Sequence, residues 1–359
     1  MDLSAICKAL QLKGELVDFE VLKGGNINTT YKVNCVDGDK RYEYLLQNIN
    51  KFVFKEPFKV MANIVNVTDY IEKHKDKYSL YNLVFNKTVD GIPFVVDENG
   101  NFWRSTLYIN CTTFDSTDNL FVIEEAGNAF GEFIYTLRNF DTAILHETIP
   151  NFHNTKKRIE DLEKTIAIST KSKKIETKKE IDYILSHKKL ASTLVDLIEK
   201  GKLPLRVTHN DTRSNNVVFH KETLKALAVI DLDTIMPGIT AYDFADSARS
   251  ICSSTADDEE DISKVYFNLE KFEAFARGYL KKMSLILEPK EIETLGLSVF
   301  IITLELASRF LEDHLKGNVY FKVKHETHNL VRARCQLALA NDVLNKMDEI
   351  NKIIHKYVK

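Results

Sequence analysis

Over the first hundred residues, apolar positions come in short alternating runs. Segments 20–22, 30–35 and 42–47 are rich in Val, Leu and Tyr. Gly- or Asp-bearing turns such as Val36-Asp37-Gly38-Asp39 separate them, and the pattern predicts strands. Pro57 suits a first helical turn, and Val60, Ile64, Val67 and Ile71 follow at helical spacing up to residue 73. Strand patterns return at 81–85, 93–96 and 102–110, with an Asn99-Gly100 turn before the last. Beyond about residue 112 the period lengthens. Ala126, Phe130, Phe133 and Leu137 mark one helix, Ile159, Leu162 and Ile166 another, and Leu190, Leu194, Leu197 and Ile198 a third. One β island, 205–233, interrupts before helices resume. The layout is α+β, a strand-rich part over residues 1–111 followed by a helix-rich part over 112–359.

Composition narrows the function classes. Of 359 residues, 44% are hydrophobic and 28% charged, as in an ordinary globular protein, and the net charge of −3 argues against a nucleic-acid partner bound through a basic surface. The five cysteines are scattered and form no C-x-x-C pair, so neither a disulfide framework nor a zinc knuckle is indicated, and a reducing cytoplasm fits. The opening fifteen residues read as an amphipathic helix and not as a signal peptide. The longest apolar run, 295–304, is half of the ~20 residues a membrane span needs and ends at Glu305, so no membrane partner is expected. The lysine-rich run 171–179 reads as a solvated helix end before an anion patch, and the acidic run 257–261 as a solvated loop before a trap for cations. His325 and His328 lack the i, i+4 spacing of a zinc-protease helix.

Chemistry concentrates between Val207 and Arg249. His209-x-Asp211 is followed by Asn216, then by a predicted hairpin, then by Ile230-Asp231. Phosphoryl transfer needs this set: an aspartate to accept the proton of an attacking hydroxyl, and an asparagine and a second aspartate as hard oxygen ligands for Mg²⁺. His209 would orient the loop without doing proton chemistry. The bland alternative is a polar turn, since His, Asn and Asp favour turns; the apolar strand ending in Asp231 is what a turn alone does not explain. Asp233 shares the face of Asp231 on an extended strand and could join the metal or substrate shell. Near the N-terminus, Gly24 and Gly25 join two strand patterns, where glycines let a backbone approach phosphate oxygens and the side chains of Asn28 and Thr29 add donors.

These residues resemble the aminoglycoside phosphotransferase and choline kinase superfamily, which has a two-lobed protein-kinase-like fold. Within it the likeness is to bacterial N-acetylhexosamine 1-kinases, carried by 25–31 (GNINTTY), 46–50 (LQNIN) with 53–57 (VFKEP), 152–158 (FHNTKKR) and 309–322 (RFLEDHLKGNVYFK). The resemblance implies ATP as co-substrate, Mg²⁺ as cofactor, and phosphorylation of N-acetylglucosamine or N-acetylgalactosamine at the anomeric hydroxyl. It further implies Asp211 as base and sugar contact, Asn216 and Asp231 as metal ligands, Gly24, Gly25, Asn28 and Thr29 at the nucleotide, Arg309 and Tyr320 at the sugar, and Asp243 as a scaffold under the catalytic loop. Gln47 stands where many such folds carry a strand lysine, which shifts phosphate neutralisation toward the metal and backbone donors. By spacing alone, Glu305, Arg309 and Asp313 spell a surface ion-pair ladder worth only ~0.3–0.5 kcal/mol per pair. Two other functions remain open at this stage: a kinase for another small alcohol (homoserine, choline or an aminoglycoside), and a silent nucleotide- or sugar-binding protein, for which a catalytic base has no use. Preference between the two sugars and the oligomeric state are not written in the sequence.

Overall fold

The computed structural model describes residues 2–22 and 27–358, so Gly24 and Gly25 lie outside the described residues. Helix α1 (Leu3–Ala9) leads into β1 (Glu15–Val21), β2 (Thr29–Asp37) and β3 (Lys40–Ile49). After α2 (Pro57–Lys73) come β4 (Val95–Val96) and β5 (Phe102–Leu107). They form one antiparallel sheet in the order β1-β2-β3-β5-β4. Alternation gives the sheet two faces. Val33, Cys35, Tyr44, Leu46 and Trp103 pack under Leu3, Ile6 and Cys7 of α1 in a small core of their own. Thr30, Gln47 and Arg104 occupy the opposite face, with Gln47 in register with both of the others.

The strand foreseen at 81–85 is absent. Only Phe85 bridges to the sheet, at Thr106, while the Tyr81 N–H is drawn away to the Leu227 carbonyl at 2.7 Å. The turn at Asn99-Gly100 is present, with Gly100 at φ +72°.

The remainder is mainly helical: α3 (Leu120–Thr136), α4 (Thr155–Ile168), α5 (Lys171–Glu176), α6 (Lys178–Ser186), α7 (Lys188–Ala191), α8 (Thr193–Glu199), α9 (Thr240–Ile251), α10 (Leu269–Met283), α11 (Pro289–Lys316), α12 (His328–Asn345) and α13 (Met347–Tyr357). The single helix foreseen through 190–198 is two, α7 and α8, parted at Ser192, whose hydroxyl engages Asp196 at 3.0 Å. The β island is β6 (Arg206–Thr208) paired with β9 (Met236–Gly238), enclosing the hairpin of β7 (Val217–Phe219) and β8 (Ala226–Val229). In the lysine-rich run, Lys173 donates to the His314 and Leu315 carbonyls at 2.7 and 3.1 Å, capping α11. In the acidic run, Asp258 is tied to Lys324 and His328.

Helix α11 corrects the estimate of apolar length. By length and composition Pro289–Lys316 could cross a membrane, but 83% of its apolar window is buried inside the fold. A Glu288–Glu291 capping box opens it and Gly317, at φ +90°, closes it.

The backbones of α3 and α10 cross in contact. A Cβ on Gly131 would sit 2.5 Å from the Tyr279 carbonyl oxygen, and Gly127 and Gly278 are hemmed in by Phe275 and Glu124 backbone in the same way. This crossing sets the position of Phe130 and Phe133, whose rings pack edge-on against His209 with centroids 5.8 and 6.2 Å away. Gly131→Ala should therefore wedge the helices apart and lower unfolding free energy by roughly 2 kcal/mol or more. At Gly38 (φ +59°) a Cβ would meet nothing within 4 Å, so Gly38→Ala should cost only about 1 kcal/mol of left-handed strain. Urea denaturation of both variants measures the difference.

Candidate active site

The loop between β6 and β7 carries the first cluster. It is fixed by Asp243, in the first turn of α9, which accepts the His209 and Asn210 N–H groups at 2.7 Å each. Asn210 takes a left-handed conformation (φ +63°), which asparagine tolerates better than most residues. His209 Nε2 lies 2.8 Å from the Ile230 carbonyl, and the Asp211 N–H points to its Nδ1 at 3.3 Å. These partners assign an Nε2–H tautomer, leaving His209 as a strut between the loop and Ile230.

Asp211 is held from two sides. Asn216 Nδ2 donates to its carbonyl (2.8 Å) and to Oδ2 (3.1 Å), while Arg213 donates Nε to Oδ1 (2.8 Å) and Nη2 to Oδ2 (3.2 Å). Burial works against the Arg213 charge, but Asp211 outweighs it and the guanidinium pKa rises. With both Nδ2 hydrogens committed, Asn216 presents Oδ1 as an unspent acceptor. Asp231, left-handed at φ +58°, opens into the cleft, and its carboxylate accepts no hydrogen bond from any described residue. The surrounding protein, and then the Asp233 and Asp211 charges, push its pKa above the usual carboxylate range, against Arg104 and His209.

Crowded carboxylates beside an unspent amide oxygen suit a hard divalent cation such as Mg²⁺. No cage of three or more His, Cys, Asp or Glu occurs among the described residues.

Asp233 has a different setting from Asp231. It is buried, and its oxygens are taken by Arg104 Nη1 and by Asn28 Nδ2 (2.6 Å). Arg104 in turn donates Nε to Gln47 Oε1 at 3.0 Å, and Gln47 donates to Thr30 Oγ1 at 3.3 Å. A buried guanidinium from β5 thus stands beside the neutral Gln47. Asn28 bridges the sheet and the Asp231 loop, its Oδ1 accepting the Asn50 N–H at 3.0 Å. Thr29 lies on the opposite face of β2 from Thr30, toward Asn48, and so apart from this cluster.

The ladder read from spacing does not form. Glu305 accepts from His153 Nδ1 (3.0 Å) and from the Thr155 hydroxyl (2.5 Å), and Asp313 accepts the N–H groups of Val319, Tyr320 and Phe321 at 2.8–2.9 Å. Among the described residues no carboxylate is bonded to Arg309, which lies against the Phe152 and Phe321 rings, 5.7 and 5.6 Å from their centroids. Tyr320, 67% exposed, stacks edge-on against Phe321 on this rim. His153 joins the rim to the loop, its Nε2 3.4 Å from the Asn210 carbonyl.

Sequence reasoning missed Arg104, Arg213 and the His153–Glu305 pair. The available signal for the first was a lone arginine within a short strand pattern, Phe102–Leu107.

Residues 18–275, the greater part of the chain, match the model of the phosphotransferase enzyme family (APH). The chain belongs to that family. It is similar in fold to an aminoglycoside phosphotransferase from Alicyclobacillus acidocaldarius (12% identity, TM-score 0.64, covering 99% of this chain and 97% of that one). It is also similar to a choline kinase from Cryptosporidium parvum Iowa II (14%, 0.60, 99% and 98%). A third likeness is to a spectinomycin phosphotransferase in complex with ADP and spectinomycin (11%, 0.58, 94% and 94%).

The His153–Glu305 pair has a pH signature. Burial disfavours the charged imidazole, but Glu305 outweighs it and raises the pKa above 6.5; burial disfavours the charged carboxylate, but His153 holds Glu305 below 4.5. The histidine contribution is whole below pH 6.5 and fades as pH rises through the folded value. The glutamate contribution is whole above pH 4.5 and fades as pH falls. Glu305→Gln should cost about 3–5 kcal/mol in the window between. The deficit should shrink on the alkaline side, as read by urea denaturation across pH.

Separately, Asp243→Asn turns an amide N–H toward a backbone N–H. It should cost roughly 2–4 kcal/mol and most of the activity, measured by denaturation and turnover.

Proposed function

We propose that this phosphotransferase is an ATP-dependent kinase that phosphorylates N-acetylhexosamines at the anomeric hydroxyl. The observation that carries the reading is the convergence of Asp211, Asn216 and Asp231 at the foot of a rim where Arg309 lies against two aromatic rings. In this reading residues 1–111 hold the nucleotide and 112–359 the acceptor, in the reducing cytoplasm. The ADP in the spectinomycin phosphotransferase supports a nucleotide in the corresponding cleft.

Asp211 accepts the acceptor's hydroxyl proton as its oxygen attacks the γ-phosphorus in line with the leaving ADP oxygen. Arg213 keeps that carboxylate turned to the acceptor. Asn216 and Asp231 would hold Mg²⁺, which when bound neutralises charge on the phosphates. Asn28, held to Asp233, is assigned to the nucleotide together with Gly24, Gly25 and Thr29 of the same stretch of sequence. Arg309 offers planar N–H donors to sugar hydroxyls and the acetamide carbonyl, with Tyr320 beside it.

A kinase for another small alcohol is the second reading. The rim favours a neutral acceptor over choline or an aminoglycoside, because the Arg309 guanidinium already lies against the Phe152 and Phe321 rings that a cationic headgroup would take.

Incubation with ATP, Mg²⁺ and either N-acetylhexosamine should give a sugar 1-phosphate by phosphorus NMR; a phosphate at O6, or turnover of other alcohols only, overturns the substrate assignment. Asp211→Asn should lower kcat by roughly 10²–10⁴-fold with little change in sugar KM. Arg309→Ala should raise sugar KM with kcat nearly unchanged. Asp231→Ala should abolish turnover and weaken the Mg²⁺ dependence of nucleotide binding.

A further inference from the structure

Arg104 occupies an unusual place for a charged side chain. It is 2% exposed, on the face of the sheet that looks toward Asp231, directly opposite Gln47 in the β3–β5 register. Its remaining neighbours are apolar or soft: Met61 Sδ of α2 at 3.8 Å and the Phe85 ring at 5.6 Å. Nε is spent on Gln47 and Nη1 on Asp233. The third nitrogen, Nη2, donates to none of the described residues. A buried guanidinium with an unspent N–H pair is costly unless an acceptor arrives. Lys32, on the same strand face, is drawn off to Glu43 (2.6 Å) and to the Tyr108 ring.

We propose that Arg104 is the cation that anchors the nucleotide phosphates, taking from β5 the role that a β3 lysine has in related folds. In those folds the lysine reaches the phosphates from β3 and is steadied by a carboxylate. Here Gln47 fills the lysine's place and turns its amide oxygen to Arg104, and Asp233 serves as the steadying carboxylate. Arg104 then meets a phosphate oxygen through Nη2 without leaving Gln47 or Asp233. Asp233 is thereby withdrawn from the metal, which leaves Asp231 as the metal's carboxylate. This inference rests on the kinase reading and adds to it a specific residue for phosphate binding.

The test is calorimetric titration of ADP, with Mg²⁺, into the parent protein, Asp233→Asn and the double variant Arg104→Gln with Asp233→Asn. The double variant removes both charges, so no buried ion is stranded, and circular dichroism verifies its fold. If Arg104 is the anchor, Asp233→Asn, which keeps the cation but loses its steadying partner, still binds ADP, and the double variant binds at least about tenfold more weakly than Asp233→Asn. If the two variants bind ADP equally, Arg104 is only a tie between the sheet and the Asp231 loop, and the proposal fails while the kinase reading stands. A parent protein that does not bind ADP overturns the kinase reading and the proposal together.

Discussion

The carboxylate of Asp243, sealed among helices, bonds to two successive backbone N–H groups, and the geometry of the site follows from that arrangement. A buried charge costs several kcal/mol unless good partners surround it, and burial pushes the Asp243 pKa up to about 6. The bonds to His209 and Asn210 offset this cost and turn the chain at Asn210, so that Asp211 faces the cleft. Other bonds depend on the same turn. The Thr212 hydroxyl donates to the Asp243 carbonyl, Ser247 donates to the Thr212 carbonyl, and Thr234 donates to the His209 carbonyl. The loop bearing Asp211, the first turn of α9 and the loop bearing Asp231 are thus one hydrogen-bonded unit.

Asp231 and Asp233 are two residues apart and do opposite things. A left-handed turn at Asp231 directs its carboxylate into the open cleft, where no described donor meets it. A short 3₁₀ turn, Leu232–Thr234, carries Asp233 inward, where an arginine and an asparagine saturate it. One acid is kept vacant and the other joins the sheet to the helical part. An extended strand would have placed them alike, and the turn between them is the physical reason they differ.

How much could be read from sequence depended on the separation of partners. His209, Asp211, Asn216 and Asp231 lie within one loop and hairpin, so spacing alone grouped them, and α2, α3 and α4 were legible because each buries a regular apolar stripe. Arg104 meets Asp233 across 129 positions and His153 meets Glu305 across 152, and no local period records such pairings. Glu305, Arg309 and Asp313 show the opposite error. Their i, i+4 spacing is real, yet Glu305 and Asp313 are bonded by groups off the helix and Arg309 lies against two aromatic rings. The alternation at 81–85 failed for a related reason: a strand needs a neighbour along its length, and there Tyr81 alone bonds to Leu227 of β8.

The loop beyond α11 is held by its main chain. Asp313 grips the N–H groups of Val319, Tyr320 and Phe321, and Asn329 supports the same carboxylate at 2.9 Å. Val319 and Tyr320 point outward, so the grip does not depend on which side chains they carry. Substitutions at positions 319 and 320 leave the backbone path of the loop in place. A lineage carrying this scaffold can therefore change the outward surface of this loop and inherit its backbone intact.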